Sequence, residues 1–135
     1  MTRLWGILAL LTLTGCAPAA SRCLVDSQAP MTVVELFFGR DIPGRAPLSD
    51  GEWSDFASTV VAKEFPEGFT VTDGEGEWRD PATHAVIREH TKILIVAAPR
   101  SADLAFRISR IRHAYSVAYQ QTSVGVLTYD ACGEF

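Results

Sequence analysis

Apolar and polar residues alternate along several stretches of the chain, the first of them Thr32 to Phe38. An alternation of period two predicts a β-strand with one buried face. The strand's two predicted faces are Val34, Leu36 and Phe38 on one side and Val33, Glu35 and Phe37 on the other. Comparable patterns predict strands over 69–79, 85–97 and 123–132, and Gly74 with Gly76 predicts a bulge or bend in the second strand.

Two segments between these strands show helical spacing instead. Ser49 and Glu52 have the spacing of a capping box, in which each side chain binds a free amide at a helix start. The first helix should end at Pro66-Glu67-Gly68, and the second should begin at Ser101. The apolar positions of the first are Trp53, Phe56, Ala57, Val60 and Val61, and those of the second are Leu104, Ile108, Ile111, Tyr115 and Tyr119.

The order of elements is strand, helix, strand, strand, helix, strand. This order predicts an α+β fold, the ferredoxin-like βαββαβ sandwich, with a four-stranded antiparallel sheet and both helices on one face. The first and last strands are antiparallel neighbours in that topology, so Cys23 and Cys132 would flank their junction.

The amino terminus has the pattern of a bacterial lipoprotein signal. Arg3 precedes an apolar run from Leu4 to Leu13, and Leu13-Thr14-Gly15-Cys16 follows the pattern of a lipidation site. We therefore expect residues 1–15 to be a signal peptide, 16–31 a lipidated terminus and linker, and 32–135 a single domain. The expected location is the cell envelope through a lipid anchor, on the periplasmic face of the outer membrane if the source is a diderm. Ala17 is not the aspartate that retains some lipoproteins at the inner membrane, but this residue does not fix the sorting.

Charge and cysteine content narrow the classes of function. The formal net charge of −4 becomes −5 once residues 1–15 are removed, which argues against nucleic-acid binding because phosphate contacts need a basic surface. Lipidation of Cys16 leaves Cys23 and Cys132, which in an oxidising compartment predict a disulfide. Two buried free thiols are the alternative.

Several short stretches of the predicted domain form a distinctive set. They are Glu35-Leu36-Phe37-Phe38-Gly39, Ser49 with Glu52-Trp53 and Phe56, Phe65 to Val71, Gly76 with Trp78, Glu89 with Thr91-Lys92, and the Cys132 tail. Together these stretches resemble the bacterial DUF3574 family, a domain of unknown function. The resemblance spans nearly all of 32–135 and implies no activity, cofactor or catalytic residue.

Glu35 is the main candidate site residue, because a carboxylate interrupts an otherwise apolar strand. We expect it on the sheet face opposite the helices, within reach of cations from the third strand. The expected ligand-binding set is Glu35, Arg88, His90, Lys92 and Tyr129, beside the aromatic Phe37. A structural ion pair or an oligomer contact would explain the same carboxylate.

Other candidates are weaker. The three histidines, with Glu35 and Glu89, carry side chains of the types that bind metals. The sequence has no HExxH or CxxC pattern, however, so we predict no metal or cofactor. Arg40 and Arg45 precede a helix start and would attract an anion there, or simply solvate the loop. A basic group on the second helix would touch anionic headgroups, or cover an exposed helix face; its members are Arg100, Arg107, Arg110, Arg112 and His113.

Two functions remain open from the sequence. The first is a non-catalytic, membrane-anchored module that binds an envelope protein or a small ligand. The second is a small enzyme of the dimeric-barrel kind, in which sheet faces from two copies enclose a pocket around Glu35. A deep cavity at Glu35 would favour the enzyme, and a flat face would favour the module.

Overall fold

A computed structural model describes residues 23–135. The elements are strand β1 (Ala29–Gly39), a first helix in three consecutive parts, strands β2 (Thr70–Arg79) and β3 (Val86–Pro99), a second helix (Leu104–Tyr119) and strand β4 (Gly125–Gly133). The parts of the first helix are an α-helical segment (Asp50–Phe56), a π-helical turn (Ala57–Val61) and a last α-helical turn (Ala62–Glu64).

The four strands form one antiparallel sheet in the order β2-β3-β1-β4. With both helices packed against one face, this is the predicted α+β ferredoxin-like architecture. The register places Glu35 of β1 opposite Ile95 of β3 and Leu127 of β4. One face of β1 is therefore covered by the helices, and the other, called here the open face, is not.

The core lies between the sheet and the helices. Phe38 is fully buried, and its ring centroid lies 4.7 Å from that of Tyr115 and 5.0 Å from that of Trp53. The Tyr115 hydroxyl donates to the carbonyl of Gly39 at 2.8 Å, which satisfies a polar group that burial would otherwise penalise. The other fully buried side chains of the core are Val34, Leu36, Leu48, Val61, Phe65, Leu94, Ile111 and Val124.

The start of the first helix follows its predicted chemistry. The hydroxyl of Ser49 accepts from the Glu52 amide at 3.2 Å, and the Glu52 carboxylate accepts from the Ser49 amide at 2.9 Å. These bonds and the neighbouring Arg45 guanidinium lower the pKa of Glu52 to about 2. The capping box is thus complete, and its carboxylate stays charged at the positive end of the helix.

Some predicted boundaries were wrong. β1 begins at Ala29, so residues 29–31 pair in the sheet and do not belong to a linker. The second helix begins at Leu104 rather than Ser101, and its preceding residue, Asp103, makes no side-chain cap. β2 keeps one unbroken register with β3 from Thr70 to Arg79, so the two glycines produce no bulge.

Cys23 and Cys132 form a disulfide, with 5.6 Å between their Cα atoms. The bond joins the start of the domain to the end of β4, where Cys132 lies opposite Pro30 of β1. Cys16 and the predicted signal peptide lie outside the described residues. Within 23–135, neither helix is long and apolar enough to cross a membrane.

Candidate functional site

The open face presents Glu35 among apolar neighbours. Its carboxylate Oε1 accepts a hydrogen bond from the Tyr129 hydroxyl at 3.0 Å. That bond, with the charge of Glu35, raises the pKa of Tyr129, because the carboxylate disfavours a second anion beside it. The side chains around this pair along the strands are Val33 and Phe37 of β1, Ile93 and Ile95 of β3, and Leu127 of β4.

The structure does not bring the predicted cations to Glu35. The register sets Lys92 opposite Phe38, which points into the core, so the cationic positions of β3 share the helix-side face. Successive strand residues alternate between faces, and a one-residue difference in register decides which side chains meet. The expected cluster of Glu35 with Arg88, His90 and Lys92 was therefore wrong, and only its Glu35–Tyr129 part is formed.

Each of these basic residues instead lies directly opposite an acid on β2. The register pairs Lys92 with Asp73, His90 with Glu75, and Arg88 with Glu77. The corresponding nitrogen to oxygen distances are 2.5 Å, 3.8 Å and 2.7 Å. A sequence signal for this ladder existed, because the acids at alternate positions of β2 mirror the cations at alternate positions of β3.

Lys92 is the buried member of that ladder. Its side chain is 8% exposed, and its ammonium contacts Asp73 at 2.5 Å and Asp50 at 2.9 Å. The hydrogen bond that Lys92 donates to Asp73 raises the pKa of Lys92, against the opposing effect of burial, and Asp50 adds to the rise. Lys92 in turn holds the pKa of Asp50 below its ordinary value, with help from Arg40. This arrangement links the first helix to the β2–β3 hairpin through charge.

Glu89 is a carboxylate whose placement the sequence did not reveal. It lies over Gly39, where a Cβ would come within 2.8 Å of the carboxylate oxygen, so a larger residue at that position would require the end of the Glu89 side chain to shift. Burial raises the pKa of Glu89, and the nearby charge of Asp41 raises it further. Glu89 lines a cavity of about 390 Å³ at the hairpin end, together with Asp41, Glu75, Gly76, Glu77, Arg88 and His90.

The face around Glu35 is not a deep pocket. Neither the cavity at the hairpin end nor a second one near the start of the second helix includes Glu35 among its lining residues. Tyr129 borders the second cavity, which has a volume of about 400 Å³ and opens widely to solvent.

The basic residues of the second helix are engaged with the protein itself. Arg110 forms a bidentate ion pair with Glu64, in which Nε and Nη2 donate to the two carboxylate oxygens at 2.7 Å and 2.5 Å. This pairing lowers the pKa of Glu64. Arg107 lies over the ring of Phe65 and donates to a backbone carbonyl. Arg112 also donates to a backbone carbonyl, and Arg100 pairs with Asp130. These contacts favour structural roles over headgroup binding.

The loop arginines likewise make contacts within the protein, and His84 and His113 lie at exposed positions. Arg40 donates to the carbonyl of Leu48 at 2.7 Å, and Arg45 pairs with Glu52. His84 takes a positive φ in the turn between β2 and β3, and His113 is exposed on the second helix. Within the part of the chain that the structure describes, no three His, Cys, Asp or Glu side chains converge as a metal site would require.

The family follows from a match to most of this domain. A family model described as a protein of unknown function, DUF3574, matches residues 33–135. The chain belongs to the DUF3574 family. No curated protein matches the sequence of this DUF3574 chain.

Solved structures resemble the DUF3574 domain in fold. A phage SAM lyase in complex with S-methyl-5'-thioadenosine superposes with a TM-score of 0.56 at 11% identity, covering 78% of this chain and 92% of the lyase. The same kind of enzyme in its apo state gives a TM-score of 0.55 at 11% identity, covering 87% and 98%. At this identity the likeness establishes the α+β fold and no more.

Proposed function

We propose that this chain is a lipid-anchored, non-catalytic lipoprotein of the cell envelope that binds an envelope partner through the open face of its sheet. The observation that carries the proposal is the composition of that face. In the described strands it holds the apolar side chains around Glu35 and Tyr129, and it bears no lysine, arginine or histidine. A contiguous apolar face without a covering layer is typical of interaction sites.

The polar pair in the face adds selectivity to that surface. Glu35 is partly exposed, and its hydrogen bond to Tyr129 leaves further acceptor capacity on the carboxylate. A partner that covered this carboxylate would have to supply a donor, since a buried unpaired charge is costly. The surface therefore suits a protein or small ligand that combines apolar area with a cation or a hydrogen-bond donor.

The test compares an apolar-to-lysine substitution in the open face with the same type of substitution on the second helix. Ile95→Lys places a charge in the open face, whereas Val117→Lys places it on an exposed apolar position of the second helix. We expect proteins captured from envelope extracts by the native chain, measured by quantitative mass spectrometry, to be lost with Ile95→Lys and kept with Val117→Lys. Equal capture by both folded variants would contradict binding through the open face.

The anchor is tested separately. Cys16 is proposed as the lipidated residue, so Cys16→Ser should move the protein from the membrane fraction to the soluble envelope fraction and remove a lipid-sized mass. Retention of both the membrane association and the mass by the serine variant would refute lipidation at this residue. The result bears on location, whereas binding is tested by variants in the strands that form the open face.

A second candidate function is a small enzyme with Glu35 in its site. The specific observation is that its fold is shared with a phage SAM lyase solved with S-methyl-5'-thioadenosine, while Glu35 and Tyr129 place an acid beside a phenol on the sheet. Calorimetric titration with SAM and with S-methyl-5'-thioadenosine distinguishes the two functions. Saturable binding that Glu35→Gln abolishes would favour the enzyme, and its absence would favour the binding module.

A further inference from the structure

The two edges of the sheet differ in a way that points to self-association. β2 forms one edge and β4 the other. An edge strand exposes unpaired main-chain donors and acceptors, and proteins usually blunt such edges with charge, proline or short length. In β2, the acids Asp73, Glu75 and Glu77 disfavour pairing with a further strand, and the strand also contains two glycines. β4 has nine residues, no proline or lysine, and one charge, Asp130.

Large apolar side chains are also exposed along β4. Leu127 is 57% exposed and Tyr129 is 50% exposed, both on the open face, and Val126 is 37% exposed on the other side of the strand. Asp130 is paired with Arg100, so the one charge of the strand is compensated within the chain. The edge therefore offers both main-chain hydrogen-bonding groups and apolar side chains, as a strand with a neighbour would.

We propose that β4 pairs antiparallel with β4 of a second copy of this chain, which joins the two sheets into one. A two-fold axis through the middle of β4 makes the edge complementary to itself, because antiparallel pairing of identical strands is symmetric. With the axis at Thr128, Leu127 lies opposite the partner's Tyr129. The two half-exposed side chains then form a cross-strand aliphatic–aromatic pair.

The charges of the strand favour the same arrangement. With that axis, Asp130 lies opposite the partner's Val126, so like charges do not oppose one another. An axis through Asp130 would set the two carboxylates face to face, which is destabilising. Pairing of β2 with its own copy about Gly74 or Glu75 would set acids of the two copies opposite one another, which disfavours that edge. The pairing also extends the open face across both copies.

The experiment measures the oligomeric state of the purified protein over a wide concentration range by sedimentation. We expect a concentration-dependent dimer that Thr128→Lys weakens at least about tenfold, since lysine on an edge strand opposes pairing. Thr72→Lys is the matched control, because it makes the same change at an exposed position of the other edge and should leave the dimer unchanged. Circular dichroism confirms that both variants are folded.

Cysteine cross-linking identifies the pairing strand. Thr128→Cys should give a disulfide-linked dimer on oxidation, and Thr72→Cys should not. A protein that is monomeric at every concentration, or a dimer that Thr72→Lys weakens as much as Thr128→Lys does, would overturn the proposal. A dimer abolished by Ile95→Lys and untouched by Thr128→Lys would also overturn it, since the copies would then meet through their open faces.

Discussion

The two faces of β1 have similar compositions and different surroundings. Val34, Leu36 and Phe38 are fully buried beneath the helices, whereas their alternate neighbours on the open face remain partly exposed. A helical layer therefore covers one set, although the other set is nearly as apolar. The comparison teaches that alternation in the sequence identifies which residues share a face, while the layer that covers a face depends on the helices.

The charged side chains on the two faces of the sheet also differ in their surroundings. The helix-side face accommodates Lys92 in a nearly closed environment because Asp50 and Asp73 compensate its charge. On the open face, the Glu35 carboxylate has a neutral hydrogen-bond partner, Tyr129. Water or a binding partner must provide the other hydrogen bonds of this carboxylate. A buried charge needs an opposite charge within the fold, and a surface charge does not.

Replacing each of two adjacent phenylalanines tests this difference most strongly. Phe38→Ala should lower the free energy of unfolding by about 3 to 5 kcal/mol, because a fully buried ring leaves a cavity among its neighbours. Phe37→Ala, on the open face, should cost roughly half as much or less, since the site is part-exposed and water can fill it. Urea denaturation measures both. Equal losses in monomeric protein would contradict the assigned difference between the faces.

The disulfide should have the next largest effect. β4 has exposed side chains along most of its length and is held by its pairing with β1 and by the Cys23–Cys132 bond. The bond closes a loop with a sequence separation of 109 residues, so replacing both cysteines with serine should cost about 2 to 5 kcal/mol. Thermal unfolding measures the loss. Hydrogen exchange would then show faster opening in β4 than in β3, and equal exchange rates would contradict its dependence on the bond.

The sequence was sufficient for the fold because local chemistry and periodicity agree. The capping box of Ser49 and Glu52, the stripe of the second helix and the alternation of β1 each specify their element independently. The pairing of Cys23 with Cys132 was predicted from the expected compartment and the topology together. These features depend on residues close in sequence or on the order of elements.

The site was harder to predict because it depends on register. Glu35 was placed on the correct face, but its contact with Tyr129 rather than Lys92 follows from the way two strands align. A shift of one residue exchanges the faces, and alternation within a single strand does not determine that shift. The position of Glu89 over Gly39 is likewise a contact between strands far apart in sequence.

Removing the charge of Lys92 and removing the charges of its two acids should change the stability by different amounts. The double variant Asp50→Asn/Asp73→Asn should lose more stability than Lys92→Met, because it leaves an ammonium buried without a counter-charge. Lys92→Met leaves two exposed carboxylates that water solvates and that Arg40 still contacts. Thermal unfolding at neutral pH ranks the variants, and the reverse order would refute the burial argument.

The pH dependence of the same cluster has a defined sign. The pKa of Asp50 is lowered, so its contribution is present above its ordinary value of 3.8 and is lost as the pH falls through the folded value. The pKa of Lys92 is raised, so its contribution is complete below 10.5 and is lost as the pH rises through the folded value. Lys92→Met should therefore flatten the stability profile at both ends. An unchanged profile would contradict the pairing.

Glu89 should give a smaller effect of opposite sign. Its pKa is raised by burial, so the folded state keeps a proton that the unfolded state releases, and stability falls as the pH rises from 4.5 through the folded value. Glu89→Gln should remove this fall and modestly stabilise the protein at neutral pH. Glu75→Gln, at an exposed position of the same cavity, is the control and should not reproduce the gain.

Glu35→Gln is the smallest change and the one that best separates scaffold from site. The amide keeps the shape of the side chain and an oxygen that accepts from the Tyr129 hydroxyl, so the cost in stability should be under about 1 kcal/mol. The loss of negative charge should also return the pKa of Tyr129 towards its ordinary value, which spectrophotometric titration of the protein would follow against a Tyr129→Phe control. An unchanged titration would contradict the contact between the two side chains. If the variant also loses the envelope partner that the native chain captures, the carboxylate belongs to the binding surface; if it keeps the partner, the apolar side chains around it account for binding.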